Sequence, residues 1–422
     1  MLWVWILLGS VGGSVLTLLI LNLTTSEKKI TYEINTPFGV DDPRFLRLVS
    51  HLLGSPLVDG NHIRALQNGD AIFVAMLTAI RSANQSVCFE TFIYWSGVVG
   101  RQFSEALSER AKAGVPVHVI LDGVGTGRLD NESLEMMRDA GVLIERYHPL
   151  TWKTISSFNN RTHRKLLIID GTVGFTGGVG IADKWRGNAA NPEEWRDVHF
   201  EVRGPVVAQM QATFMDNWIK TKAKVLHGDA YFPPLESVGD QPMQFFKSSP
   251  DEGSESVRLM YLLSISAAQR SIYLSSSYFV PDELSLTMLC TAAKRGVRIV
   301  IIVPGENIDT KITRRASRAR WGSLLEAGIK IHEYQPTMFH CKVMIVDEQW
   351  VSVGSTNFDS RSFRINAEAN LNIHDAAFAA EKIEVFNKDL QSSKHITHDM
   401  WKRRPMSERV VEWFASLVRS QL

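Results

Sequence analysis

The sequence predicts an α/β protein made of two homologous halves with mixed sheets, preceded by a transmembrane helix. Three observations indicate this class: an uncharged apolar run at the N-terminus, a helix–glycine–strand order that occurs twice, and a duplicated H-x-K-x4-D motif. The 422 residues, 45% hydrophobic and 22% charged, are typical of a globular chain with two or three domains. We expect a transmembrane anchor at 1–23 and a connector at 24–60. The first half follows at 61–236, the second half at 240–385, and a C-terminal helical segment at 386–422.

The N-terminal run, residues 2–23, contains no charged side chain. As a helix it would extend for about 33 Å, and the hydrocarbon core of a bilayer is about 30 Å thick. Trp3 and Trp5 lie where interfacial indoles are favoured. No Lys or Arg precedes the run, which favours an uncleaved single-pass anchor over a signal peptide or a buried core helix. Lys28 and Lys29 follow directly, so we expect the body on the cytoplasmic side.

Charge and cysteine content exclude several classes of protein. A formal net charge of +1 argues against a nucleic-acid coat protein. Three scattered cysteines without a C-x-x-C pair argue against a disulfide framework and a structural zinc site. We expect no metal and no cofactor. The stretch 294–330 carries nine basic and three acidic residues, and is either a solvated helix face or a patch for anionic headgroups.

The repeated unit is recognised from the order of its elements. In each half a helical stretch leads into an apolar strand, and a second helical stretch ends in glycine before another strand. The first copy has helix 71–81, strand 86–94, Gly114 and strand 115–121, and the second has helix 257–270, strand 271–279, Gly296 and strand 297–303. This order predicts βαβ units and a mixed sheet with helices on both faces.

The duplicated motif carries the chemistry. His163, Lys165 and Asp170 form the first copy, and His340, Lys342 and Asp347 form the second. On a strand, the His and the Lys two residues later point to one face. An imidazole can attack phosphorus or protonate a leaving alcohol, and a neighbouring ammonium can neutralise a phosphate oxygen. Two copies therefore predict phosphoryl transfer in which lysines take the place of a metal.

Both motifs, together with the trailing Gly177-Gly178 and Gly354-Ser355-Thr356-Asn357, resemble the phospholipase D superfamily. Asn160 to Lys165, and Asn357 to Glu368, resemble more closely the bacterial cardiolipin synthases. The resemblance covers about residues 61–390. It implies two phospholipase D-like halves, one active site at their interface, a covalent phosphohistidine and a ping-pong reaction with retention at phosphorus.

The resemblance also assigns roles to single residues. His163, Lys165, His340 and Lys342 match the catalytic positions, and Ser355 and Asn357 match the substrate-binding positions. It implies that Glu368 orients His340 and that Asp197 is the partner of His163. Asp170 and Asp347 are expected to be structural. His163 is the expected nucleophile, with the roles of the two histidines reversed as the alternative.

One departure from the family pattern makes the halves unequal. Gly178 and Gly180 occupy the places that Ser355 and Asn357 have in the second half, which removes a phosphate donor. Phe158 and Trp185 are candidates for an acyl entrance, although for each of them alone core packing is the favoured explanation.

The resemblance implies a phosphatidyltransferase of the bacterial inner membrane. Phosphatidylglycerol would give its phosphatidyl group to a histidine, and a second phosphatidylglycerol would accept it, releasing glycerol. Phosphatidylethanolamine is a second possible donor. Two alternatives remain open: a hydrolase that forms phosphatidic acid, and a phosphodiesterase or nuclease of the same superfamily. We expect phospholipids and a membrane as partners, and no nucleic acid; the sequence leaves the oligomeric state open.

Overall fold

The N-terminal run forms one helix, α1 (Leu2–Leu23), whose side chains at 3–17 are exposed. The computed structural model describes residues 2–23, 30–149, 159–250 and 255–421. Within these ranges, no helix is both long enough and apolar enough to cross a bilayer, and the predicted transmembrane helix is not supported. Lys28, Lys29 and Phe158 lie outside the described residues.

The expected connector contains a helix that belongs to the core. Helix α2 (Pro43–Leu52) begins after Asp42, whose carboxylate accepts the backbone N–H of Arg44. A proline in the first turn and an aspartate before it are typical of a helix start. The Phe45 ring packs edge-on against Trp350, with ring centroids 5.1 Å apart. Residues 43–52 are therefore attached to the second half.

The first half is an α/β unit with its helices interspersed among its strands. Its elements are β1 (Val58–Gln67), α3 (Asn68–Ser82), β2 (Val87–Thr91), α4 (Val98–Lys112), β3 (Val117–Asp122), α5 (Asn131–Asp139), β4 (Leu143–Tyr147), β5 (Leu166–Ile169), β6 (Val173–Gly177), β7 (Val198–Arg203) and α6 (Val207–Lys222).

The second half repeats this order and adds elements at its C-terminal end. They are β8 (Gln241–Ser248), α7 (Ser256–Ala267), β9 (Ser271–Ser276), β10 (Phe279–Val280), α8 (Glu283–Lys294), β11 (Arg298–Pro304), α9 (Lys311–Arg318), α10 (Trp321–Glu326), β12 (Lys330–Tyr334), β13 (Lys342–Val346), β14 (Trp350–Gly354), β15 (Phe358–Asp359), α11 (Ser360–Arg364), β16 (Glu368–His374), α12 (Ala376–Gln391), β17 (Ser393–Ile396), α13 (His398–Lys402) and α14 (Met406–Leu417). Helix α12 continues past residue 385, where the sequence suggested the second half would end.

A single mixed sheet of 15 strands runs through both halves. From the centre outward the first half has the order β1-β7-β6-β5-β2-β3-β4, and the second has β8-β16-β14-β13-β9-β11-β12 with β17 at the edge. In both, the β2–β3–β4 and β9–β11–β12 pairs are parallel and the inner pairs are antiparallel. The halves meet where β1 pairs with β8. The predicted mixed α/β fold is confirmed.

A shared apolar core covers one face of this sheet across the junction. It contains side chains of both halves, among them Phe200, Phe214, Phe245, Ile345 and Phe386, which are all fully or almost fully buried. Burial of apolar surface is the main favourable contribution to folding, so this core fixes the two halves relative to each other. An active site that uses residues from both halves can therefore keep one geometry.

The motif aspartates bind the loops that precede strands β2 and β9. Asp170 accepts hydrogen bonds from the backbone N–H groups of Asn84, Gln85 and Ser86. Asp347 does the same for residues 269–271, at 2.7–2.8 Å. Both aspartates have φ near +50°, a conformation that Asp tolerates better than most residues. These contacts lie at the far ends of β5 and β13 from the motif histidines.

Candidate active site

Backbone hydrogen bonds between the halves bring the two motifs together. The N–H of His163 donates to the carbonyl of Ala367 at 2.8 Å, and the N–H of Ala367 donates to the carbonyl of Arg161 at 2.8 Å. In the other half, the N–H of His340 donates to the carbonyl of Arg196 at 2.7 Å. Each histidine segment is thus paired with the segment that leads into β16 or β7 of the opposite half.

The backbone hydrogen bonds between the halves determine which carboxylate contacts which imidazole. Nδ1 of His163 lies 2.9 and 3.0 Å from the two carboxylate oxygens of Glu368. Nδ1 of His340 lies 2.7 Å from Oδ2 of Asp197. The predicted pairing, Asp197 with His163 and Glu368 with His340, is wrong. Glu368 directly follows the residue that is backbone-bonded to His163, so it can only reach the imidazole of the opposite half.

Each carboxylate determines which nitrogen of its imidazole partner carries the proton. An ionised carboxylate only accepts, so Nδ1 carries the proton in each neutral ring and Nε2 keeps its lone pair; Nε2 of His340 lies 3.3 Å from Lys342 Nζ. Burial lowers the pKa of His163 to about 4, although Glu368 opposes this, and the ring is neutral at pH 7. Burial also lowers the pKa of His340. Burial alone would raise the pKa values of Asp197 and Glu368, but their histidine partners bring both below the usual range.

The two lysines lie beside these pairs and are buried. Lys165 Nζ donates to the carbonyl of His163 at 2.6 Å, and Lys342 Nζ donates to the carbonyl of His340 at 2.8 Å. Burial, with a smaller effect from the charge on Lys342, lowers the pKa of Lys165 to about 7, although Glu368 opposes this. Burial likewise lowers the pKa of Lys342. The lysines influence each other because all four motif side chains share one enclosed site.

Two residues at equivalent places in the repeat give the lysines different neighbours. Lys342 also donates to the hydroxyl of Ser277 at 2.6 Å. The corresponding residue after β2 is Phe92, whose ring lies 5.7 Å from Lys165 Nζ and 5.3 Å from the His163 ring. The sequence analysis did not identify either residue. Alignment of the strands that precede them, 86–94 with 271–279, was the signal that could have found them.

The two predicted substrate-binding residues lie on the His163 side of the site. The hydroxyl of Ser355 donates to Glu368 and so helps to hold the carboxylate that orients His163. Asn357 is buried, and its Oδ1 has no hydrogen-bond partner among the described residues. A buried amide without a partner is costly unless a ligand satisfies it. Because Oδ1 accepts, it would take a hydrogen bond from a hydroxyl of the substrate, and Asn357 is a candidate contact for such a hydroxyl.

On the His340 side, Trp185 occupies the space that Ser355 and Asn357 have in the other half. Its Nε1–H donates to Oδ2 of Asp197 at 2.9 Å. A Cβ at Gly180 would lie 3.1 Å from the Trp185 ring, and a Cβ at Gly178 would lie 2.4 Å from Asp197 Oδ1. Neither position has room for a side chain. The indole thus replaces the hydroxyl as a hydrogen-bond donor and fills the place of an asparagine.

Aromatic rings enclose His340 on two sides. The centroids of Trp185 and Trp195 lie 5.3 and 5.4 Å from the imidazole centroid. Trp185 is almost fully buried and bonded to Asp197, so the structure places it beside the Asp197 carboxylate, as part of the packed interior. The two imidazoles therefore have different surroundings: the Phe92 ring and the Ser355 hydroxyl near the His163–Glu368 pair, and two indole rings near His340.

A buried ion pair secures the segment that carries Asp197. The guanidinium of Arg196 binds the carboxylate of Asp389 through two hydrogen bonds, at 2.9 and 3.1 Å. Asp389 lies on α12, so this contact also joins the two halves. Across the described ranges there is no group of three or more His, Cys, Asp and Glu side chains arranged to hold a metal ion.

Comparison with known proteins identifies the family. A family profile described as "Cardiolipin synthase, PLD-like domain" matches residues 76–218 and 261–390, more than half of the chain. The cardiolipin synthase of Geobacillus sp. (strain WCH70) is 35% identical over 90% of this chain and 76% of its own length. The chain belongs to the cardiolipin synthase family of phospholipase D-type proteins. It is accordingly a phospholipase D-type phosphatidyltransferase, and the resemblance found in the sequence is confirmed.

Other relatives agree with this membership. The cardiolipin synthase of Alkalihalophilus pseudofirmus is 33% identical over 92% of this chain and 77% of its own length. The crystal structure of phosphatidylserine synthase from Haemophilus influenzae Rd KW20 has a TM-score of 0.64 and covers 90% of this chain and all of its own. At 13% identity, that likeness establishes the fold alone. The roles of single residues in this cardiolipin synthase-family chain remain predictions.

The pKa values predict a decline of kcat/KM on the alkaline side of neutrality. Lys165 stabilises the phosphate only when charged, and it loses its proton above a pKa of about 7. His163 is neutral above a pKa of about 4, so its ionisation limits the rate only in acid. We expect kcat/KM to fall as the pH rises from about 7 to about 9, with the fold monitored by circular dichroism over the same range. A constant kcat/KM over that interval would contradict the role of Lys165.

The Trp185 contact predicts a specific effect of removing one N–H group. Trp185→Phe keeps a ring but deprives Asp197 of a hydrogen bond to a charged acceptor, which contributes about 1.5–3 kcal/mol. We expect kcat to fall about ten-fold or more, with KM little changed. Trp195→Phe is the matched control, since Trp195 packs on the same imidazole. Equal losses in both variants would show that the rings matter and the hydrogen bond does not.

Proposed function

We propose that this enzyme transfers a phosphatidyl group from one phosphatidylglycerol to another, forming cardiolipin and releasing glycerol. The observation that supports this reaction most directly is the pair of imidazole–carboxylate contacts in one buried site, with a lysine beside each. A two-step transfer needs one nucleophile and one proton carrier, and both must face the same phosphorus.

In the first step, Nε2 of His163 attacks phosphorus and the bond from phosphorus to the glycerol oxygen breaks. The leaving oxygen takes the electron pair and a proton from Nε2 of His340, which enters this step as the imidazolium stabilised by Asp197 and is left neutral. This leaves a phosphatidyl–His163 intermediate. Neutrality of His163 at pH 7 and the Ser355 hydroxyl that holds its carboxylate partner favour it as the nucleophile.

In the second step, a hydroxyl of another phosphatidylglycerol loses its proton to His340 and its oxygen attacks phosphorus. The phosphorus–nitrogen bond breaks, the electron pair returns to His163, and cardiolipin leaves. Lys165 and Lys342 stabilise the non-bridging oxygens in both steps. The rings of Trp185 and Trp195 beside His340 favour exclusion of water, which would otherwise give phosphatidic acid.

The reaction is tested with full-length protein in mixed micelles that contain phosphatidylglycerol or phosphatidylethanolamine, with the lipid products read by mass spectrometry. We expect cardiolipin from phosphatidylglycerol, a loss of at least about 10³-fold in His163→Ala and His340→Ala, and a loss of about 10²–10³-fold in Lys165→Ala. His332→Ala, which removes an imidazole that stacks on His395 at the edge of the sheet, is the control. Phosphatidic acid as the main product would make the enzyme a hydrolase. No lipid product would direct attention to other phosphodiesters.

We also propose that α1 attaches the enzyme to the bacterial inner membrane, with the catalytic body on the cytoplasmic side. Support comes from its lack of charged residues and from the exposure of its side chains at 3–17. An exposed apolar helix is unfavourable in water and favourable in lipid. Deletion of residues 1–23 should release the protein from the membrane fraction while kcat in micelles is kept. If the truncated protein still sediments with membranes, α1 is not the attachment.

A further inference from the structure

Helix α14, near the C-terminus, buries a charged side chain and exposes its large apolar ones, which is the reverse of an ordinary surface helix. The two side chains that it buries are Glu412 and Ala415. Glu412 is bonded to the guanidinium groups of Arg404 and Arg318, at 2.7 and 3.1 Å. A surface helix usually turns apolar residues inward and charged residues outward. Here an ion cluster faces inward, which leaves the apolar side chains for the exterior.

The outward side chains form one stripe. Met406, Val410, Trp413 and Leu417 have the spacing of a single helix face, and Phe414 lies beside them, its ring in edge contact with Trp413. All five are exposed, and Trp413 keeps 58% of its surface. We call these five residues the α14 apolar face. A group of exposed large apolar side chains on one face marks a surface that binds a partner or a membrane.

Positive charges surround the α14 apolar face. Lys402 and Arg403 precede the helix and Arg409 lies within it, while Arg419, which follows the helix, forms an ion pair with Glu283 at 3.4 Å; all four basic side chains are exposed. Arg409 and Trp413 line a common groove of about 400 Å³. The exposed acid of this helix, Glu408, lies 3.3 Å from Arg318. The electrostatic complement of this surface is therefore anionic.

The end of α14 also lies next to the chain segment that leads to His163. Beyond the helix, Gln421 accepts hydrogen bonds from Asn159 at 3.0 Å and from Arg361 at 3.1 Å. Asn159 is four residues before His163. At the same end of the helix, Arg419 lines a surface cavity together with Ile30, the first described residue after α1. Three parts of the chain therefore lie close together: the end of α14, the residues that follow α1, and the residues that precede His163.

We propose that the α14 apolar face docks on an anionic phospholipid bilayer and turns the chain segment that leads to His163 toward it. Aromatic side chains with cations beside them are suited to the interface, where indole rings lie among headgroups and each nearby cation adds attraction to anionic lipid. This surface is separate from α1, which would attach the chain without setting its orientation. The proposal rests on the proposed function for the identity of the membrane lipid as substrate.

The test reports the environment of one position in the full-length protein. Cys290, the partly exposed cysteine, is changed to serine, and Val410→Cys carries an environment-sensitive fluorophore; Cys88 and Cys341 are buried. Val74→Cys on α3 is the matched control, because Val74 is 65% exposed and Val410 is 47% exposed. With vesicles that contain about one-third phosphatidylglycerol, we expect at least about a two-fold rise in fluorescence at 410 and none at 74. Vesicles of phosphatidylcholine alone should give a smaller rise.

Other outcomes would overturn the proposal. Equal signals at 410 and 74, or no signal at 410 when the protein sediments with the vesicles, would show that α1 attaches the chain without docking of α14. A rise without vesicles that grows with protein concentration would identify the face as a contact between copies of the chain. Lys402→Gln with Arg403→Gln should lower the response to anionic vesicles about five-fold for each cation. No arm needs turnover, so failure of the proposed transferase reaction would leave this result interpretable.

Discussion

The contact on which the site depends is the exchange of carboxylates between the halves. Glu368 holds the imidazole of His163, and Asp197 holds that of His340, so neither half contains a complete histidine–carboxylate pair. The joint sheet, the shared apolar core and the Arg196–Asp389 ion pair all act on this geometry. Because orientation of reacting groups accounts for a large part of catalysis, the fused duplication provides what neither copy could provide alone.

The duplication is symmetric in its backbone and asymmetric in its chemistry. Both halves use the same strand order and the same aspartate-capped loops, yet Phe92 stands where Ser277 stands, and Trp185 fills the place of Asn357. Pairs of groups in different environments are suited to different roles in one reaction. A hydroxyl on the carboxylate partner of one imidazole and an indole on that of the other give the two histidines different environments, which fits a nucleophile and a proton carrier.

Features of the fold that depend on local sequence pattern were predicted from the sequence. The strands around the two motifs, the lysine two residues after each histidine and the mixed sheet follow from periodicity and repetition. The partners of His163 and His340 could not be predicted, because they depend on the register between segments about 200 residues apart, such as Arg161 with Ala367. Trp185 was not predicted as a partner of the Asp197 carboxylate, because its position depends on the lack of side chains at Gly178 and Gly180. Helix α2 escaped notice because only Phe45 and Val49 in it are buried.

The crossed pairing is tested most directly by nitrogen-15 NMR of the histidine side chains in the full-length protein. Each Nδ1–H that donates to a carboxylate should give a downfield proton resonance, assigned with His163→Gln and His340→Gln. The account predicts that Glu368→Gln shifts or removes the resonance of His163 and leaves that of His340, and that Asp197→Asn does the reverse. Loss of the His340 resonance in Glu368→Gln, with that of His163 intact, would show that each half pairs its own histidine and carboxylate and would contradict the account.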